Sequence, residues 1–178
     1  MKNMERIRFK RIVKEHKDFI YNYAFYFTGT REDAEDVTQE VLLRTWQNMD
    51  TVRKGMTKSW ISKVTRNLCI DWARRRKARP DMADSLESED HDRIPSLVIE
   101  EPGVEGKELR RHIEKAIARL PEKLRSAIIL REVEDLKYEE ISEVLNIPLN
   151  SVKSYIHRGR RLLREQLSTL YTDEYCRR

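Results

Sequence analysis

LPEKLRSAIILREVEDLKYEEISEVLNIPLNSVKSYIHRGRRLLR, residues Leu120 to Arg164, reads as two short helices, a tight turn and a third helix carrying cations. That is the order of parts in a helix-turn-helix whose last helix enters a DNA major groove. Pro121 sits where a helix can begin without losing a hydrogen bond, and Asn146, Ile147 and Pro148 interrupt the pattern before it restarts. Asn146 takes the left-handed conformation more easily than most residues, and Asn150 or Ser151 can cap the last helix. Ile141, Val144 and Leu145 recur at helical spacing in the middle segment, and Val152, Ile156 and Leu163 form an apolar stripe on the last. With that stripe inward, Lys153, Ser154, His157, Arg158, Arg160 and Arg161 remain for an outer face suited to base edges and phosphates. The alternative is a solvated basic face on a bundle helix.

Charge divides the 178 residues into three blocks. Residues 1–79 hold 19 Lys and Arg against 10 Asp and Glu, residues 80–106 hold 1 against 9, and residues 107–178 hold 16 against 12, for nets of +9, −8 and +4. Two basic blocks joined by an acidic tether suggest two surfaces facing one polyanion, with a linker that it repels. The tether, rich in Pro and Gly and without helical period, reads as a flexible linker, and only Ser96–Ile99 is apolar enough to dock on something. Two small domains, 1–79 and 107–178, are expected, both all-α. Cys69 and Cys176 lie far apart with no metal-ligand spacing, so no zinc, other metal or disulfide framework is implied and reduced thiols fit best. No apolar run approaches the roughly 20 residues of a membrane span, and no signal-peptide core follows the charged start. A cytoplasmic protein without direct membrane insertion is expected.

In the first block, Phe9, Ile12, Val13, Ile20, Tyr23, Ala24 and Phe27 predict one amphipathic helix over 7–27 with a possible break near Lys17. Gly29 ends it, and Thr30 with Asp33 offers a near capping box for a second helix, REDAEDVTQEVLLRTWQN (31–48). Ala34, Val37, Val41 and Leu42, with Thr45 and Trp46, supply its inward side. Asp33, Asp36, Gln39 and Glu40 lie outside. The helix dipole favours carboxylates in the first turn but does not account for Gln39 and Glu40, so a protein-docking surface competes with a purely local role. A third helix, KSWISKVTRNLCIDWARRRKAR, starts near Thr57. Ile61, Val64, Leu68 and Trp72 are spaced for burial, while Lys63, Asn67 and Arg74 line another side with Arg66 beside them. The helix ends in Arg74, Arg75, Arg76, Lys77 and Arg79. Aromatics such as Trp60 beside cations and amides suit unstacked bases, although core packing explains Trp60 about as well and Trp72 better.

DAEDVTQEVLLRTW, KSWISKVTRNLCIDWARRRKAR and the tract from Leu120 together resemble the extracytoplasmic-function group of bacterial sigma factors, in the family's order and at its separations. The resemblance implies a polymerase subunit with no active site and no cofactor, made of a region 2 helical bundle and a region 4 helix-turn-helix. It implies that Asp33, Asp36, Gln39, Glu40 and Arg44 dock on core RNA polymerase. Trp60, Lys63, Arg66, Asn67, Arg74, Arg75 and Arg76 would hold melted minus-ten promoter DNA, with the loop Asp50–Thr57 capturing a flipped base. Lys153, Ser154, His157 and Arg158 would face minus-thirty-five bases, and Ser151, Tyr155, Arg160 and Arg161 the backbone. A cognate anti-sigma factor is the implied control. Asn150-Ser151, Tyr155 and Gly159 stand where family members often have Gly-Thr, Arg and Ala, so base preference does not carry over. Two other classes compete: a recombinase or nuclease with an appended helix-turn-helix, which lacks a recognisable catalytic arrangement here, and a dimeric operator-binding regulator, which leaves the acidic second helix and aromatic-basic third helix unexplained.

Overall fold

In the computed structural model, residues 2–52, 55–78 and 104–175 are described, with side chains over 3–52, 55–78 and 106–168. Seven α-helices follow one another: α1 (Lys2–Thr28), α2 (Arg31–Gln47), α3 (Thr57–Ala78), α4 (Val104–Ala118), α5 (Glu122–Ile128), α6 (Tyr138–Leu145) and α7 (Leu149–Tyr175). A π-helical turn, Ile129–Val133, continues α5. The all-α expectation holds over these residues. Residues 80–103 of the tether, Ser96–Ile99 within them, Arg79 and Cys176 lie outside the described residues, whereas Val104, Glu105 and Gly106, expected in the tether, form the first turn of α4.

α1 runs unbroken through Lys17, because the stretch carries no Gly or Pro to interrupt its hydrogen bonds. It stops at Gly29, whose φ of 82° suits a residue without Cβ and whose N–H reaches Phe25 O at 2.8 Å. Thr30 then caps α2, its Oγ1 accepting from Asp33 N at 3.3 Å. α1, α2 and α3 bury Ile20, Tyr23, Phe27, Val41 and Ile61 between them. Trp46, expected inside, is 41% exposed and meets Phe9 edge to face, since it lies on the last turn of α2 beyond the cover of α1's central turns.

α4 through α7 form the second unit. Asn146 takes the left-handed conformation foreseen for it (φ 53°, ψ 51°), and Ser142 Oγ donates to Ile147 O across the turn at 2.6 Å. Asp135 is a second left-handed residue, with φ 49°, at the exit of the π turn. Arg131 holds that corner by donating to Asp135 Oδ1 and Leu136 O, at 3.1 and 2.9 Å. α7 begins at Leu149, so Asn150 and Ser151 stand in its first turn rather than before it: the N–H groups of Ser151 and Val152 already bond Pro148 O. The capping expectation for them is corrected accordingly. Val152 and Ile156 are buried, as their spacing predicted.

At Gly159 α7 comes close to Ile128 of α5. A Cβ there would stand 2.5 Å from Ile128 Cγ1 and 2.8 Å from Cδ1. The two units also share one hydrophobic core, running from Tyr23 and Phe27 to Ala127, Ile128 and Leu130.

Candidate nucleic-acid interface

On α7, packing of Val152 and Ile156 against the second unit leaves Lys153, His157 and Arg158 exposed and Ser154 half-exposed. These positions share one face of the helix. Arg161 is exposed on the same side, with Glu165 3.7 Å away in an i, i+4 pair. Arg160 behaves differently: its Nε and Nη2 both bond Glu132 Oε1, at 3.0 and 2.7 Å, which raises its pKa. Glu132 was not foreseen, and it aims this guanidinium at the π turn. Tyr155 is half-buried against the core, with Ser151 beside it on the helix.

On α3, Lys63, Asn67, Arg74 and Arg75 are exposed, and the first three share one side. Trp60 packs partly against the core, whereas Trp72 is half-buried and held by a polar bond: its Nε1 donates to Asp33 Oδ1 at 2.8 Å. Arg76 lies 3.5 Å from Asp33 Oδ2 and over the Trp72 ring, 5.2 Å from its centroid, with its side chain only 19% exposed. Arg76 is therefore engaged inside the protein rather than offered to a ligand. Arg66 is half-buried, its Nη1 donating to Asn67 Oδ1 at 3.3 Å. The loop before α3 is held from α1, where Arg8 donates to Met49 O at 2.8 Å and to Val52 O. Sequence reasoning missed Arg8, because a cation 41 residues from its partner leaves no local pattern.

On α2, Asp36 and Gln39 are exposed, and Glu40 is half-exposed with its Oε1 2.7 Å from Arg44 Nε. Asp33, expected with them, faces inward to Trp72, Arg76 and the Thr30 hydroxyl. Leu43, half exposed, continues the outer face instead. Its spacing of seven from Asp36 and four from Gln39 was the available signal.

An acidic face on α2, a cationic face on α3 and a basic face on α7 in one chain agree with sequence comparison. The family model for Sigma-70 region 2 matches residues 12–79, and that for Sigma-70 region 4 matches residues 110–163. The extracytoplasmic-function sigma factor SigW of Bacillus subtilis is 37% identical over 172 residues, covering 91% of this chain and 90% of that relative. The chain belongs to the extracytoplasmic-function group of RNA polymerase sigma factors. SigE of Mycolicibacterium smegmatis is 35% identical over 162 residues, 88% of this chain but 60% of that longer relative. Among solved structures, the sigma factor RpoE of Bartonella quintana in complex with the anti-sigma factor NepR matches with a TM-score of 0.68 and 25% identity, covering 90% of this chain and 97% of that one. CnrH, solved with the cytosolic domain of CnrY, shares the fold at a TM-score of 0.64 and 21% identity over 90% of this chain and 88% of that one. Sigma factors are non-enzymatic polymerase subunits, so this sigma factor directs promoter-specific initiation and the nuclease and operator-binding readings fall away. No described helix is long and apolar enough to cross a membrane.

Proposed function

We propose that this sigma factor divides its work by block: residues 1–79 bind core RNA polymerase and open the minus-ten element, residues 80–103 act as tether, and residues 104–178 read the minus-thirty-five element. The observation that carries this reading is the α7 face. Lys153, Ser154, His157 and Arg158 stand together over buried Val152 and Ile156, a donor-rich surface on a helix of major-groove width. Ser151, Tyr155, Arg160 and Arg161 flank it for phosphates, Arg160 after release from Glu132. On α3, Lys63, Asn67, Arg74 and Arg75 hold the separated strand, Trp60 supplies a stacking edge, and the loop from Asp50 takes the extruded base. Arg66 joins this set once uncovered, whereas Asp33 and Arg76 support it by fixing α3 to α2.

Core polymerase docks on Asp36, Gln39, Glu40, Leu43 and Arg44. The Bartonella relative's complex with NepR supports an anti-sigma partner for this chain too, and a polymerase subunit of this family acts in the cytoplasm. Reconstitution with core polymerase on a genomic fragment library, with start sites sequenced, tests the proposal. Promoter-dependent starts sharing two elements are expected. Binding of the isolated protein to an operator, with no affinity for core polymerase, would overturn it.

A further inference from the structure

α1 is longer than the packing around it requires. Its 27 residues rise about 40 Å, against about 25 Å for the 17 residues of α2 that turn back along it after Gly29. Phe9 already meets Trp46 on the last turn of α2, and Arg8 is spent on Met49 O and Val52 O, so the residues before Arg8 overhang the bundle. The far end of the same helix is enclosed. Phe25 is 5% exposed where α4 packs on α1, Tyr21 stacks on it with ring centroids 6.2 Å apart, and Arg125 of α5 donates to Phe27 O at 2.8 Å.

Ile7 stands five whole turns before Phe25, so both lie on one line of the helix, opposite the buried line of Ile20, Tyr23 and Phe27. Phe25 is covered, whereas Ile7 is 64% exposed and Met4, one turn before it, 76%. Cations surround these two. Arg6, Lys10, Arg11, Lys14 and Lys17 are all exposed, and Lys10, Arg11 and Lys14 fall within about 60° of Ile7 around the helix. Among the described residues, Arg11 alone of the five has a carboxylate partner, Glu15 at 3.8 Å. The first exposed carboxylate on the Ile7 line is Asp18, which ends the patch after about 20 Å of helix.

Exposed cations with apolar side chains at their centre fit an anionic partner that also offers apolar cover. A nucleic-acid backbone supplies the charge without the cover. The α7 and α3 faces set Ser154, His157, Asn67 and Trp60 beside their cations, groups that bond to bases or stack on them, and the α1 patch holds no residue of these kinds. Against phosphates alone, Ile7 and Met4 would stay in water. An anionic bilayer supplies both, with phosphates at its surface and acyl chains just beneath, and a helix lying in that interface sets cations on the headgroups and apolar side chains below them. No described helix is long and apolar enough to cross the bilayer, so the contact is peripheral.

We propose that the outer face of α1 around Ile7 binds an anionic phospholipid surface, with Arg6, Lys10, Arg11, Lys14 and Lys17 on headgroup phosphates and Met4 and Ile7 at the acyl boundary. The patch shares no residue with the polymerase and promoter faces proposed above, so the two readings stand or fall separately. Salt screens such attraction beyond about 10 Å at 0.1 M, which makes the association reversible.

Sedimentation of the full-length protein with lipid vesicles tests this. Phosphatidylcholine vesicles with about one-third phosphatidylglycerol should carry the protein down at low salt, neutral phosphatidylcholine vesicles should not, and about 0.5 M salt should release it. Lys10→Glu combined with Lys14→Glu should lower the partition coefficient at least about tenfold, and Ile7→Ser should lower it several-fold without changing the salt slope. Circular dichroism checks that these surface substitutions leave the helices intact, and Lys10→Gln with Lys14→Gln is the milder pair should the reversals fail to fold. Arg158→Ala with Arg161→Ala removes the same charge as that milder pair from another face and should sediment as wild type does. Promoter-dependent initiation by the Lys10, Lys14 variants with core polymerase should match wild type. Absence of binding to anionic vesicles, wild-type binding by the lysine variants or by Ile7→Ser, or equal losses from the α1 and α7 pairs would overturn the proposal. Weakened nonspecific DNA binding with vesicle binding intact would assign the patch to nucleic acid, and lost initiation would assign it to the transcription complex; either result also overturns it.

Discussion

At the residue scale, Gly159 illustrates how a position can oppose its own helix. Glycine inside a helix costs about 1 kcal/mol relative to alanine, which favours Ala there by propensity alone. The space says otherwise, since Ile128, wholly buried, occupies the volume a methyl group needs. Overpacking costs about 1 to 3 kcal/mol, so Gly159→Ala should lower the melting temperature despite its better propensity. A rise would mean that Ile128 repacks freely. On the exposed side of the same helix, Arg158 and Arg161 should separate. Arg158→Ala should cost about 1 to 3 kcal/mol of binding and relax preference at one upstream base pair, whereas Arg161→Ala should weaken all sequences alike and lower the salt slope by about 1. Binding titrations of the holoenzyme across promoter variants and salt concentrations decide this, and equal sequence-independent losses would contradict the assignment.

At the element scale, α2 has two acidic sides with different tasks. Asp33 accepts from the Trp72 indole and lies beside Arg76, bonding α2 to α3. Asp33→Ala leaves those donors without their acceptor and should destabilise the fold by about 1 to 3 kcal/mol. Asp36 is exposed on the outer side, where a substitution should change stability by less than about 0.5 kcal/mol. Asp36→Ala should instead weaken polymerase binding. Urea unfolding and polymerase affinity, measured on both variants, should therefore move in opposite proportion; wild-type affinity in Asp36→Ala would remove α2's outer face from the docking surface. The sequence could not sort the two carboxylates because both fit a helix start, and only the position of Trp72, 39 residues away, distinguishes them.

At the scale of the whole molecule, the interface between units contains Glu134, a carboxylate placed where charge is costly. Asp18 and Asn22 face it from α1 and Lys58 from α3, and burial pushes its pKa from 4.5 up to about 7. An acid with a raised pKa prefers the protonated form in the packed state, so stability declines as pH rises from about 4.5 to 7 and then levels off. Glu134→Gln should remove this decline. Relative to wild type it should stabilise the packed chain above pH 7 by about 1 to 3 kcal/mol after allowance for solvent screening, and the difference should vanish near pH 4.5. Unfolding curves across that range provide the check, and a pH-independent difference would show that Glu134 does not titrate there.

Helical periodicity, the Thr30 cap, the Asn146 turn and the exposed basic face of α7 were all legible in the sequence, because each depends on residues within a turn or two of one another. The family assignment was legible too, since three motifs in fixed order rarely coincide. What the tertiary structure alone decided are pairings between distant residues: Asp33 with Trp72, Arg8 with the loop after α2, Glu132 with Arg160, and Arg125 with Phe27. The charge blocks suggested two independent domains separated by a repelled tether. Shared burial of Tyr23, Phe27, Ala127 and Ile128 joins them into one core, because apolar area removed from water is additive across chain segments and leaves no periodic trace of which distant segment supplies the cover.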